Sequence, residues 1–145
     1  MKKFNKALKI AAKIHNGNKG GKNNPAILHP IRVMLKMDDQ LSRTVAILHD
    51  VVESGKMTVD DLSNQGFNDK ICRAVDLLSR RKWESYDHYI KRVKTNKLAI
   101  KVKIADLEDN YLTRNNKKKL SKLDKSKINK YKRAYKNLTG VKLIL

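Results

Sequence analysis

Four polar residues stand where the apolar pattern of the chain calls for core. His49 and Asp50 close the run Thr44-Val45-Ala46-Ile47-Leu48, His29 lies between Ile27-Leu28 and Pro30-Ile31, and Asp106 interrupts Val102 to Leu107. A buried carboxylate without a partner costs several kcal/mol, so Asp50 and Asp106 call for a cation. Taken singly, each residue has an ordinary explanation: a histidine bonded within the core, an aspartate paired with lysine or turned to solvent. Taken together, on apolar segments of a chain with 4 histidines, one divalent ion held by two imidazoles and two carboxylates satisfies all four groups.

Further polar groups fall in register with these. Glu53 follows Asp50 and His49 by three and four positions, which puts it on the same face of a helix. Lys103 precedes Asp106 by three, Asn110 follows it by four and Thr113 by seven. That face offers a cation for phosphate and a polar contact for a ribose or base. Lys103 and Thr113 fit plain solvated surface equally well.

The elements that must position these groups read as helices. Phe4, Ala7, Leu8, Ala11 and Ile14 follow the helical repeat of a first helix. Residues 16–24 are a loop by composition. Pro30 suits the first turn of a second helix running to about Lys36. An apolar helix is expected over Leu41 to Val52, ending near Ser54-Gly55. Thr58, Asn68 and Ser85 suit the start of three further helices. A long helix is expected from Leu98 to about Leu112, with Leu112 inward, and a last one over 126–138. Only Val141 to Leu145 has any strand character, too short to build a sheet. The expected fold class is all-α, a compact arrangement with residues 1–145 as one domain.

Composition narrows the classes. Lys+Arg is 34 against Asp+Glu 14, a net charge of +20 over 145 residues. Such a field attracts polyanions without choosing among nucleotides, nucleic acid and acidic membranes. Ten of the basic residues lie between Asn115 and Lys136 against one acidic residue, Asp124. They read as a phosphate-attracting or nucleic-acid-contacting helix, or as solvated surface with Tyr131, Ala134, Tyr135 and Leu138 packed inward. No apolar run approaches a membrane span and no signal-type segment opens the chain, so no membrane partner and a cytoplasmic location are expected. Cys72, the single cysteine, falls in an apolar pattern and is expected in the core.

The order His29, His49-Asp50, Asp106 resembles the metal motif of the HD superfamily, and its surroundings resemble the (p)ppGpp-hydrolase domains of RelA/SpoT-type enzymes. Ala7 to Gly17 is similar to the family's opening "A…A…H.GQ", and Pro25 to Val33 to "PYI.HP..VA". Ala46 to Glu53 is similar to "A.LHD.VED", and Lys103 to Asn110 to "K.AD..hN". Ser85 to Ile90 matches a tyrosine-containing segment between them. The matches run in family order from about residue 7 to 114, with the basic segment of about 115–138 beyond.

The resemblance implies an all-helical HD fold and hydrolysis of the 3′-pyrophosphate of guanosine polyphosphate alarmones, or of a related nucleotide. It implies His29, His49, Asp50 and Asp106 as ligands of one manganese ion, with Glu53 orienting or deprotonating water. It makes Lys19 and Lys22 the counterparts of basic residues that meet nucleobase or phosphates. With no synthetase-like segment following, a stand-alone hydrolase is expected. Three positions depart from the pattern. Ser54 replaces the aspartate that normally follows the catalytic glutamate, Ala26 replaces an aromatic residue, and Asp109 stands where the family has histidine. Ser54 leaves open a nucleotide-binding module with weakened turnover, and the charge leaves open a nucleic-acid-binding protein.

Overall fold

The structure is a computed structural model that describes residues 2–19 and 24–145. Eight helices are formed by these residues: α1 (Lys2–His15), α2 (Leu28–Leu35), α3 (Gln40–Leu48), α4 (Val59–Asn64), α5 (Asp69–Leu77), α6 (Tyr86–Val93), α7 (Lys97–Asn115) and α8 (Lys122–Thr139). No strand forms among them, and the sole β-type pairing is an isolated bridge between Lys19 and Pro25. Among the described residues no helix is long and apolar enough to cross a membrane.

Most starts are set locally. Side chains of Asp39, Asn68, Ser85 and Asn96 accept from the backbone N–H three residues on, at α3, α5, α6 and α7. Thr58 with Asp61 and Ser121 with Asp124 form reciprocal capping boxes at α4 and α8. Each satisfies N–H groups that the first turn leaves without a carbonyl partner. The box at Ser121 starts α8 four residues before the expected 126. Val141 to Leu145 forms no strand. It runs as coil, with Leu143 buried and Ile144 exposed. Leu112, expected inward, is exposed.

Two helices make the centre. α3 packs on α1, α2, α5 and α7, while α7 also meets α2, α5, α6 and α8. Val45, Ala46, Ile47 and Leu48 are fully buried, and each of the larger ones contributes about 2 kcal/mol by leaving water. Ala7 and Ala11, also fully buried, let α1 approach α3 closely. Val102, Ala105 and Leu107 carry the core along α7, and Cys72 lies inside it as expected.

One buried carboxylate ties the 80–85 connection to α6. The Glu84 side chain is 0% exposed. It accepts from Arg92 Nε at 2.5 Å and Nη2 at 2.8 Å, and lies 2.5 Å from His88 Nδ1. The Arg92 guanidinium, helped by His88 and overriding burial, holds its carboxyl down at about 2. A depressed folded value stabilises the fold above the ordinary 4.5 and ceases to do so as pH falls from there towards 2. Glu84→Gln should therefore cost about 3 kcal/mol at neutral pH, because Arg92 loses its buried partner. In urea titrations the variant's deficit should shrink as pH falls through that window.

Candidate metal centre

The His49–Asp50 pair does not sit inside a helix that continues to Val52. α3 ends at Leu48, and His49 to Gly55 wind on as turns. His49 N bonds Ala46 O at 3.4 Å and Val51 N bonds Leu48 O at 3.0 Å, both spaced by three residues. Gly55, at φ 78°, closes the stretch in the left-handed region open to glycine. The tightening has a visible cause: His49 Nδ1 lies 2.6 Å from Ala46 O. A carbonyl only accepts, so Nδ1 carries a hydrogen, and Nε2 is the nitrogen turned to the site.

That nitrogen faces two carboxylates. His49 Nε2 is 3.3 Å from Asp50 Oδ1 and 3.3 Å from Asp106 Oδ1. His29, on the first turn of α2, points into the same space, with Nε2 2.7 Å from Asp106 Oδ1 and 3.8 Å from Asp50 Oδ2. Its Nδ1 is 2.6 Å from Asp109 Oδ2. The structure thus brings together all four residues singled out in the sequence.

Asp106, 4% exposed, is matched by a cation from its own helix. Lys103 is buried and donates from Nζ to Asp106 Oδ2 at 2.7 Å. Burial works against both charges, but their mutual attraction keeps Lys103 protonated and, with His29 and His49, holds Asp106 well below the usual carboxylate range. Burial likewise opposes charge on His29, yet its bonds to Asp106 and Asp109 raise it to about 10. Lys103 is therefore a buried partner of Asp106, not surface.

The donor set fits a divalent ion. Ligand atoms of His29, His49 and Asp50 lie within 4.8 Å of one another. Atoms that are each about 2.1 Å from a common ion stand roughly 3.0–3.5 Å apart. Three of the contacts, 3.3, 3.3 and 3.8 Å, lie near that range, and the 2.7 Å His29–Asp106 contact is a hydrogen bond. Two carboxylates crowd the two imidazoles, and a divalent ion among them would offset that negative charge in place of ring protons. Two nitrogens and two oxygens suit several first-row ions without choosing one.

Around this cluster lies a cavity of about 250 Å³. Glu53 reaches it from the turn after α3, and its Oε1 accepts from Arg80 N at 2.8 Å. The residue is exposed as a whole, but its carboxylate loses water at the cavity edge, and that desolvation raises it above its ordinary value. Arg80, Tyr86, Lys130 and Tyr131 complete the wall. The Tyr86 ring has Arg80 at 5.4 Å, Lys103 at 5.8 Å and Lys130 at 4.5 Å. The sequence reading does not single out Arg80, Lys130, Arg32 or Asp109 as site residues. Arg32 and Asp109 carry a signal, one turn after His29 and Asp106 respectively.

The remaining expected residues divide. Asn110 donates to Asp106 Oδ1 at 3.2 Å and lines both this cavity and a neighbouring one of about 250 Å³, where Thr113 lies. Ser54 takes no place on the cavity wall. Its hydroxyl donates to Val51 O at 2.6 Å and accepts from Lys56 N at 3.2 Å. Lys19 is exposed and lines a different hollow beside His15, whose Nε2 is buried without a hydrogen-bond partner. Lys22 lies outside the described residues.

No family model matches the chain, and no curated protein matches it. A solved structure does, described as a metazoan ortholog of SpoT that hydrolyzes ppGpp and plays a role in starvation responses. Its TM-score is 0.79 at 22% identity, over 98% of this chain and 88% of that one. The all-helical fold of such a hydrolase is therefore the fold of this chain.

The pairing within the cluster makes its two aspartates unequal. Asp106→Ala leaves the Lys103 ammonium buried beside nothing of opposite charge, and metal-free protein should lose about 3 kcal/mol or more. Asp50, with its side chain 33% exposed, should tolerate alanine within about 1 kcal/mol. Chemical denaturation with a chelator present measures both.

Proposed function

We propose that this chain is a metal-dependent phosphohydrolase that removes the 3′-pyrophosphate of a guanosine polyphosphate such as ppGpp, or acts on a closely related nucleotide. The observation that carries the reading is the meeting of His29, His49, Asp50 and Asp106 beside Glu53, in a cavity walled by Arg80 and Lys130. The fold it shares with a ppGpp-hydrolysing SpoT ortholog supports the choice of substrate. In this reading residues 1–145 act as one unit, and a nucleotide substrate goes with a cytoplasmic location.

The four residues would hold one divalent ion, manganese in this reading. When bound, that ion supplies Lewis acidity towards a phosphoryl oxygen and lowers the pKa of water. The chain's own groups do the rest. Glu53, fixed through Oε1 by Arg80 N–H and raised by lost hydration, accepts the proton of the attacking water through its other oxygen. Water oxygen bonds to phosphorus as the bond to the ribose 3′ oxygen breaks, and the proton taken by Glu53 passes to that oxygen, giving pyrophosphate and a free 3′ hydroxyl. Arg80 and Lys130 draw the phosphate charge inward. Lys103 keeps Asp106 in place, so its part in substrate binding is indirect. Asn110 and Thr113 offer polar contacts to ribose or base in the neighbouring cavity, and Lys19 and Lys22 are assigned as cations for nucleobase or phosphates by the family resemblance alone.

The Ser54 geometry favours a second reading. A hydroxyl bonded back to its own turn supplies no carboxylate to the cavity, which describes a nucleotide-binding module with weakened turnover.

Purified protein with Mn²⁺ should convert ppGpp to pyrophosphate and GDP, and a chelator should stop it. Glu53→Gln should lower kcat by about 100-fold or more, and His49→Ala should abolish turnover. Tight ppGpp binding without hydrolysis, with turnover gained by Ser54→Asp, selects the second reading. A panel of nucleotides left intact and unbound by Mn²⁺-loaded protein overturns both.

A further inference from the structure

We infer that Asp109, clamped by Arg32, is the positioning residue for the His29 imidazole, so that metal affinity is set from one helical turn outside the ligand cluster. The inference rests on the proposed metal site and assigns a role to two residues which that reading does not use.

The geometry is an interlock of two helices. His29 and Arg32 are one turn apart on α2, and Asp106 and Asp109 are one turn apart on α7. The His29 ring spans the pair of aspartates, with Nε2 2.7 Å from Asp106 Oδ1 and Nδ1 2.6 Å from Asp109 Oδ2. An ionised carboxylate only accepts, so in the metal-free chain Nδ1 donates to Asp109 and Nε2 to Asp106, and the Asp109 bond keeps Nε2 as the nitrogen turned to the cavity.

Asp109 is itself held. Arg32 donates from Nε to Oδ1 at 2.7 Å and from Nη2 to Oδ2 at 3.0 Å, a two-point fork that fixes the plane of the carboxylate. Asp109 is 5% exposed and Arg32 lies towards solvent, its side chain 42% exposed. The buried carboxylate thus has a cation of its own, as Asp106 has Lys103. A carboxylate behind an imidazole fixes its tautomer, restrains its rotation and raises its basicity towards a metal, and loss of such a partner costs about 10–100-fold in affinity. His49 has a carbonyl, Ala46 O, in the corresponding place. The two imidazoles are therefore backed unequally, with the charged backing on His29.

A simple cross-brace between α2 and α7 predicts otherwise, and calorimetric titration of the full chain with Mn²⁺ separates the two. Asp109→Ala should weaken Mn²⁺ binding by about 10–100-fold. Asp109→Asn keeps an acceptor for Nδ1 and should lose less. Arg32→Gln leaves the carboxylate in place but unclamped and should lose less than Asp109→Ala. If Asp109→Ala fails to fold, Asp109→Asn and Arg32→Gln carry the test. Nitrogen NMR of metal-free protein gives a second readout: the Nδ1–H signal of His29 should change in the Asp109 variants, while that of His49 stays. Native Mn²⁺ affinity in folded Asp109→Ala and Asp109→Asn, with only thermal stability lowered, overturns the positioning role and leaves the hydrolase reading standing. Absence of Mn²⁺ binding by the unaltered chain overturns both.

Discussion

The structure turns on one carboxylate that has been taken out of water. Asp106 sits inside α7, and it is tolerated there because Lys103, one turn earlier, puts an ammonium against it and His29 and His49 close the remaining side. Remove the carboxylate and three positively charged or polar groups face one another in a space with little solvent. Its presence draws α2 and the turn after α3 onto α7. The helices that form the centre of the core are thus the helices that carry the polar cluster, and apolar packing around Val102, Ala105 and Leu107 holds that cluster at short range.

Much of this was legible in the sequence, for physical reasons that differ by residue. Thr58, Asn68 and Ser85 announce helix starts because capping is a bond across three residues and needs no tertiary partner. His29, His49, Asp50 and Asp106 stand out because a polar residue in an apolar repeat is conspicuous. The end of α3 was not legible: it depends on the His49 ring reaching back to Ala46 O, a choice set by what surrounds the other face of the ring. The start of α8 was missed at Ser121 although its partner Asp124 stands three residues on, because the surrounding lysines mask the apolar repeat that draws the eye to a helix. Asp109 reads in the sequence as a departure from the resembled pattern, one turn after Asp106, with no partner indicated. Its burial is permitted only by Arg32 from another helix, a long-range pairing that no local pattern records.

The likeness to a SpoT ortholog at 22% identity is a likeness of backbone paths. Most side chains differ between two such chains, so the chemistry of this one is carried by its own groups. Here they are unevenly supplied. The nitrogen and carboxylate groups of His29, His49, Asp50 and Asp106 stand close together and bond to one another. Beside them Glu53 stands as the one acid poised over the cavity, since Ser54 has turned its hydroxyl into the turn that carries it. Under the proposed function, such a site is organised for holding first and for turning over second.

The wall opposite that cluster carries a tension of its own. Lys130 loses hydration against Tyr86, and Lys127, Arg80, Lys103 and Arg114 add repulsion, so its ammonium is easier to deprotonate than an ordinary lysine. Like charges gathered at a doorway are a loaded spring, and the arrival of any multiply charged anion releases it. Occupancy then makes the doorway calmer than vacancy, and dissolved salt, by muffling the same repulsion beforehand, takes away part of what the anion would gain by entering.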